Sequence, residues 1–180
     1  MAIHATGYAS GIASSNPDEL AFATDRLRAE HEELREKLRI LETSAKEVIL
    51  SDDLEKGMQL VRELRGRAHR FVEVLERHSD WEERELFPFL LTYYDRHRGP
   101  SILPSFWVLE KDHKLGLSFI ESFQEAASKI TTHVSRKQLA EITAHLVQAC
   151  LILNDHLTME EQLVFPITEQ VMTDLESFFC

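Results

Sequence analysis

The sequence predicts an all-α protein, an antiparallel up-down four-helix bundle, and two observations carry this prediction. Apolar residues recur along most of the chain at the three- and four-residue spacing of amphipathic helices, and no alternating strand pattern competes with them. Four such patterns are separated by Ser, Asp, Gly and Pro residues, which are typical of helix ends and loops. A length of 180 residues suits one well-filled core, so a single domain is expected.

The first predicted helix follows a short tail. Residues 1–16 are small and polar and are expected to form a flexible tail, which leaves residues 17–180 for the bundle. The run Ser15–Glu19 (SNPDE) places a capping side chain, a proline and two acids where a helix begins. The helix is expected to continue to a second capping sequence at Ser51–Asp53 (SDD).

Three further helices are predicted. The second runs from about Leu54 to Pro88, where the proline ring removes a backbone donor and disfavours an uninterrupted helix. The third fits Ser105 to about Ile130. The fourth fits Ser135 to about Val164, with a short separate carboxy-terminal segment after Pro166.

Composition argues against several classes of partner. The chain has 31 Asp and Glu against 20 Lys and Arg, a formal net charge of -11, which would repel phosphate backbones and anionic lipid surfaces. Nucleic acid and membrane partners are therefore not expected. The first residues lack the basic start and long apolar run of a secretion signal, so the sequence predicts a cytoplasmic protein. Cys150 and Cys180 have no C-x-x-C spacing and are expected to be free thiols.

Two segments of the chain repeat one pattern. HSDWEERELFP spans His78–Pro88 and HLTMEEQLVFP spans His156–Pro166, and both read H-x-x-x-E-E, three residues, then F-P. Because a helix turns by about 100° per residue, the His and the first Glu of each segment share a face. The second Glu lies about 100° further round, toward the flank. The first Glu of each pair is therefore the better inward candidate.

The shared face of each segment is expected to point into the bundle. Apolar residues flank it one and two turns away, among them Phe71 and Leu75 before the first segment and Ala149 and Leu153 before the second. One histidine on each of the other two helices also lies on an apolar stripe. The predicted inward residues, which are the predicted metal ligands, are His31, His78, Glu82, His113, His156 and Glu160.

This inward set predicts a metal site. Two carboxylates that face one bundle interior repel each other and are costly to bury without a cation. Four imidazoles and two carboxylates are typical of a first-row transition metal rather than of magnesium or calcium, and iron suits the set best. The two carboxylates could bridge a pair of metals, and two histidines could complete each of two equivalent ends.

The order H, H-x-x-x-E, H, H-x-x-x-E, with F-P after both H-x-x-x-E-E segments, resembles the hemerythrin-like (HHE cation-binding) family over about Asp18 to Phe178. The resemblance implies a non-haem centre of two iron ions with an oxo or hydroxo bridge, held by the six inward residues. The oxygen-carrying members have a second histidine where this chain has Leu117. Their last motif is H-x-x-x-x-D, whereas here Glu160 stands at the four-residue spacing and Glu161 at the five-residue one.

The missing histidine makes the chain similar to the non-carrier branch of the family, and two functions stay open. One is a di-iron oxidoreductase that acts on hydrogen peroxide, oxygen or nitric oxide, with a catalase-like, peroxidase-like or stress-protective role. The other is a non-catalytic sensor, store or carrier of iron or oxygen. No nicotinamide or flavin fingerprint is present, so the electron donor is unknown. Whether Glu110, which forms E-x-x-H with His113, or Glu161 also binds metal stays open too.

Overall fold

The computed structural model describes residues 17–97, 101–131 and 133–179, and within these ranges the chain is helical and contains no strand. The predicted flexible tail, residues 1–16, lies outside the described residues. The helices are α1 (Pro17–Leu50), α2 (Leu54–Trp81), α3 (Phe87–His97), α4 (Leu103–Ser128) and α5 (Arg136–Phe179). A π-helical turn, Glu82–Leu86, joins α2 to α3 without a break. The described chain therefore has four long helical stretches, as the sequence predicts.

The boundary between α1 and α2 lies where the capping sequence predicts it. The Asp53 backbone is extended, and its carboxylate accepts a hydrogen bond from the backbone N–H of Lys56 at 3.0 Å. This bond satisfies one of the donors that the first turn of a helix leaves free. The short polar connection thus ends one helix and begins the next.

The prediction that the second helix ends at Pro88 is wrong, because the chain stays helical to His97. The π turn ends at Leu86, two residues before the proline, and the backbone N–H of Phe87 donates to the carbonyl of Glu82, five residues back. A wider turn relieves the clash between a proline ring and the carbonyl one turn earlier. Pro88 is also exposed, so water can reach the acceptor that loses its donor.

The predicted separate segment after Pro166 is also wrong, because α5 continues through this proline to Phe179. The apolar stripe does not stop at the proline: Ile167, Val171 and Leu175 are all buried. Burial of an aliphatic side chain stabilises by about 1.5–3 kcal/mol, so three of them outweigh the roughly 3 kcal/mol cost of a proline within a helix. Packing after the proline therefore keeps the helix intact.

The four helical stretches enclose two apolar clusters. Helix α1 packs against α2 and α5, and α4 packs against the same two helices. The first cluster, here the Leu34 cluster, includes Leu34, Leu38, Leu64, Phe71, Leu75, Ile120, Phe123, Leu146 and Leu153. The second, here the Leu20 cluster, includes Leu20, Leu27, Trp81, Leu86, Leu90, Phe106, Leu109, Val164 and Val171. In the described ranges, no helix is both long and apolar enough for a membrane span.

A glycine brings α4 close to α5. A Cβ atom added at Gly116 would lie 2.5 Å from Cδ2 and 2.6 Å from Cγ of Leu153, which belongs to the Leu34 cluster. Both distances are shorter than a real carbon contact, and the Cγ atom cannot move without the whole side chain. The approach of the two helices therefore depends on a residue without a side chain at this position.

We expect Gly116→Ala to lower the free energy of unfolding by about 1–3 kcal/mol, because the added methyl group overpacks the contact with Leu153. Gly66→Ala is the matched control. A Cβ atom there would meet only Arg70 Nη1 at 3.7 Å, an ordinary contact, so this change should stabilise α2 by roughly 0.5–1 kcal/mol. Urea unfolding in the presence of a chelator measures both. Equal stabilisation by the two alanines would contradict the proposed close packing.

Candidate metal centre

The six predicted inward residues lie in one polar layer between the two apolar clusters. On α1 the layer lies between Leu27 of the Leu20 cluster and Leu34 of the Leu34 cluster. On α2 it lies between Leu75 of the Leu34 cluster and Trp81 of the Leu20 cluster. Every member is at most 8% exposed. The polar layer consists of His31 from α1, His78 from α2, Glu82 from the π turn, His113 from α4, and His156 and Glu160 from α5.

Four members of the layer form a compact group. One ligand atom from each of His31, His78, Glu82 and Glu160 lies within 4.8 Å of those of the other three. Nε2 of His31 is 3.4 Å from Oε2 of Glu160 and 3.9 Å from Oε1 of Glu82. Nε2 of His78 is 2.8 Å from Oε1 of Glu82. Four buried nitrogen and oxygen donors at these distances could hold a metal ion.

The other two histidines lie beside this group. The rings of His113 and His156 stack with their centroids 5.7 Å apart, whereas those of His31 and His78 meet edge to face at 5.0 Å. Nε2 of His156 is 3.7 Å from Oε2 of Glu160, so this carboxylate lies within 4 Å of histidines from both pairs. We call His31 with His78 the His31 half, and His113 with His156 the His113 half.

The polar layer contains buried atoms that protein groups do not satisfy. Among the described residues, seven buried side-chain nitrogen and oxygen atoms lack a hydrogen-bond partner, and they belong to five members of the layer. Even the 2.8 Å contact between His78 and Glu82 lacks hydrogen-bond geometry. Each such atom costs about 1–3 kcal/mol when it is left unsatisfied. Imidazole nitrogens and carboxylate oxygens that converge without bonding one another suit a transition metal such as iron.

Polar side chains contact His31 on the side of its ring that faces away from the layer. Its Nδ1–H donates to Oε1 of Glu161 at 3.0 Å, because a carboxylate can only accept. Arg35 in turn donates from Nη2 to Oε2 of Glu161 at 3.0 Å and to Oγ1 of Thr158 at 3.1 Å. The acid at the five-residue spacing therefore faces the outer side of a ring and lies behind the polar layer.

A parallel set of contacts supports His78. Its Nδ1–H donates to Oε2 of Glu30 at 2.8 Å, and Nε of Arg26 donates to Oε1 of the same carboxylate at 2.7 Å. The guanidinium of Arg26 also lies 4.1 Å above the ring of Trp81. Carboxylates placed behind histidines in this way fix the tautomer and orient Nε2 toward a metal. Sequence reasoning missed Glu30 and both arginines; the four-residue spacing of Arg26 and Glu30 was the available signal.

The surrounding carboxylates raise the pKa values of the two histidines in the His31 half. Burial alone lowers the pKa of His31, but its contacts with Glu160 and Glu82 raise it to about 9. For His78, burial is likewise outweighed, by the charge of Glu82 and the hydrogen bond to Glu30, and its pKa is raised to about 10. These raised pKa values favour the protonated rings, so a metal ion that binds Nε2 of either ring competes with a proton.

Of the other four members of the layer, three have pKa values displaced in the direction that burial dictates, and Glu82 is the exception. Burial lowers the pKa of His113, and burial together with the charge of His113 lowers the pKa of His156 to about 4. Burial and the charge of Glu82 raise the pKa of Glu160 to about 8. The pKa of Glu82 stays below its usual range despite burial, because His78 and His31 favour its charged form. The pKa values of these two neighbouring carboxyl groups are thus displaced in opposite directions.

Other residues singled out from the sequence lie outside the layer. The Glu110 side chain is 41% exposed and pairs with Lys114. Glu83 is exposed, and Leu117 is half-buried against the Leu34 cluster. Cys150 is a buried free cysteine, and burial raises the pKa of its thiol to about 12. None of these side chains joins the compact group of four.

After treatment with a chelator, we expect His31 and His78 to be doubly protonated and His113 and His156 to be neutral at pH 7. Proton-detected nitrogen NMR of the imidazole rings, followed from pH 5 to pH 10, measures this. A histidine pKa raised above its ordinary value of 6.5 stabilises the fold at low pH, and that contribution is lost as the pH rises through about 9 to 10. Four rings that all titrate near pH 6.5 would show that the carboxylates do not act on the His31 half.

Comparison with known proteins gives a family. The family model described as the hemerythrin HHE cation binding domain matches residues 23–168 and covers the whole polar layer. The comparisons with curated proteins and with solved structures gave no match. With a match over most of its length, and with every residue of the polar layer inside it, the chain belongs to the hemerythrin HHE cation-binding domain family.

Proposed function

We propose that the protein binds two iron ions in the polar layer. The observation that carries this proposal is the presence of seven buried, unsatisfied nitrogen and oxygen atoms in that layer, together with the close approach of ligand atoms from His31, His78, Glu82 and Glu160. The His31 half would hold one ion and the His113 half the other, with Glu82 and Glu160 shared between them. A single ion would leave some of the six groups buried and unpaired, which is the costly arrangement that the second ion removes.

The proposed activity is reaction with, or binding of, hydrogen peroxide, oxygen or nitric oxide. Bound iron supplies the one-electron redox chemistry that such ligands require. The chain supplies the rest: four imidazoles and two carboxylates hold the metal, and two apolar clusters keep bulk water out of the layer. Glu30 and Glu161 orient two of the imidazoles from behind.

Leu117 supports a reactive centre rather than a reversible carrier. It lies four residues after His113, and its alkyl side chain packs against the Leu34 cluster and offers no ligand atom. With fewer protein ligands than the carrier pattern that the sequence resembles, both ions would keep a position for a small ligand. This favours turnover of peroxide or irreversible reaction with oxygen, with an external electron donor where one is needed.

A second function, a non-catalytic sensor or store of iron or oxygen, is favoured by the depth of the layer. All six side chains are at most 8% exposed, so exchange of the ion and of small ligands would be slow. Reaction with peroxide separates the two functions, since a store would lose or keep its iron without evolving oxygen from peroxide.

Three further parts of the proposal concern the setting of the centre. The helices are proposed to run antiparallel, up and down, which the short connections after α1 and α3 support. The protein is proposed to act in the cytoplasm on a small peroxide or diatomic ligand. Its net charge of -11 argues against nucleic acids and anionic membranes as partners.

Iron content tests the metal site. We expect close to two irons per chain, and we expect Glu82→Ala and Glu160→Ala each to lose most of that iron, because each removes a shared carboxylate from the buried layer. Glu83→Ala is the matched control, since its side chain is exposed beside Glu82 and should retain full iron. Elemental analysis of the folded variants measures this. Iron retained by both layer variants, or stoichiometric zinc without any uptake of iron, would refute the di-iron proposal.

Leu117→His tests the reactivity. We expect the reduced wild-type protein to be oxidised by oxygen without reversal, and the oxidised protein to evolve oxygen from hydrogen peroxide. An imidazole at position 117 that binds metal should suppress peroxide turnover at least several-fold. Stopped-flow absorption and an oxygen electrode measure the two reactions. If the iron spectrum of the wild-type protein changes reversibly over repeated cycles of oxygenation and degassing, the proposed reactivity is wrong and the protein is a reversible oxygen carrier.

A further inference from the structure

The histidines of the two halves of the polar layer differ in the hydrogen bonds that their ring nitrogens make with surrounding residues. Both histidines of the His31 half donate an Nδ1–H to a carboxylate, to Glu161 at 3.0 Å and to Glu30 at 2.8 Å. Each carboxylate is itself held by an arginine. The ring orientation and the tautomer are thereby fixed, and Nε2 of both rings is left to face the layer.

The His113 half lacks this support. The hydroxyl of Ser79 lies 3.1 Å from Nδ1 and 3.3 Å from Nε2 of His113, so it is nearly equidistant from the two nitrogens and does not select between them. Neither Nδ1 nor Nε2 of His156 has a hydrogen-bond partner among the described residues, although both are buried. Within the described ranges, the His113 half therefore has one neutral hydroxyl, from Ser79, and no hydrogen-bond partner for His156, whereas the His31 half has two carboxylates.

The carboxylates of the layer also favour the His31 half. Oε1 of Glu82 lies within 4 Å of both histidines of that half. Oε2 of Glu160 is 3.4 Å from His31 and 3.7 Å from His156. The compact group of four donors is therefore the His31 half together with both carboxylates.

We propose that the two metal positions are unequal and load in order, the first at the His31 half and a weaker, faster-exchanging second at the His113 half. Glu30 and Glu161 are the positioning residues that set this order. The inference rests on the proposed metal binding in the polar layer and adds to it which position is tight and which residues make it so. At limiting metal the protein therefore passes through a form with one ion.

Release of iron tests the order of loading. Protein loaded anaerobically with iron(II) is mixed with a chromogenic iron(II) chelator, and the released iron is followed with time. We expect two phases of one iron each, a fast one from the His113 half and a slow one from the His31 half. A single phase that releases both irons together overturns the unequal positions while leaving two-iron binding intact, whereas a protein that takes up no iron overturns both proposals.

Charge-neutral variants assign the phases. Glu30→Gln and Glu161→Gln should each accelerate the slow phase by about 10–100-fold and leave the fast phase unchanged. Ser79→Ala should change only the fast phase. Glu33→Gln is the matched control: it lines the same surface cleft as Glu30 but pairs with Lys37 at the surface, so both phases should keep their rates.

Ring NMR separates positioning from general loosening of the fold. Loss of the carboxylate in Glu30→Gln should alter the Nδ1 signal of His78, while its urea unfolding midpoint stays close to that of the Glu33→Gln control. Variants at 30 and 161 that accelerate both phases equally, or that accelerate only the fast phase, overturn the assignment of the tight position to the His31 half.

Discussion

The burial of six ionisable side chains in one layer of an apolar bundle is the constraint on which the rest of this structure depends. On both sides of the layer the interior is built mainly from aliphatic and phenylalanine side chains, which form no hydrogen bonds. Charged groups in such surroundings cost several kcal/mol unless they are paired. Nδ1 of His31 and Nδ1 of His78 each donate to a carboxylate that an arginine holds. The Nε2 atoms of the two rings and the carboxylate oxygens that face them have no hydrogen-bond partner among the described residues. Those inner atoms are the ones that a cation would satisfy.

The two repeated segments, His78–Pro88 and His156–Pro166, differ in backbone geometry and in the position of their first glutamate although their sequences are similar. In the first, a π turn begins at Glu82 and precedes an exposed proline, and the Glu82 carboxylate lies 2.8 Å from the histidine of its own segment. In the second, the helix stays α-helical through Pro166, and Glu160 lies 3.7 Å from its own histidine but 3.4 Å from His31. Single π turns occur frequently at functional sites. A repeat in the sequence therefore does not produce two equal halves in the layer.

Helical spacing in the sequence predicted the inward residues because a helix face is a local property, settled by residues three and four apart. The helical course of the chain past Pro88 and Pro166 could not be predicted from local sequence. A π turn accommodates the first proline, and burial of Ile167 and Val171 keeps the helix intact after the second. The contacts of Glu30 and Glu161 with the histidines could not be predicted from local sequence either. Glu161 meets a histidine 130 positions away and Glu30 meets one 48 positions away, and such pairs depend on how helices are placed side by side.

The forces that hold the two halves of the layer differ in kind. Arg35, Thr158 and Glu161 tie α1 to α5, and Arg26 with Glu30 ties α1 to the histidine of α2, so charged hydrogen bonds organise the His31 half. The His113 half lies between α4 and α5, whose approach depends on the apolar contact of Gly116 with Leu153. Charged pairs weaken with salt and with pH, whereas apolar contacts respond to side-chain volume. Changes of solution conditions should therefore act first on the His31 half, and changes of core packing on the His113 half.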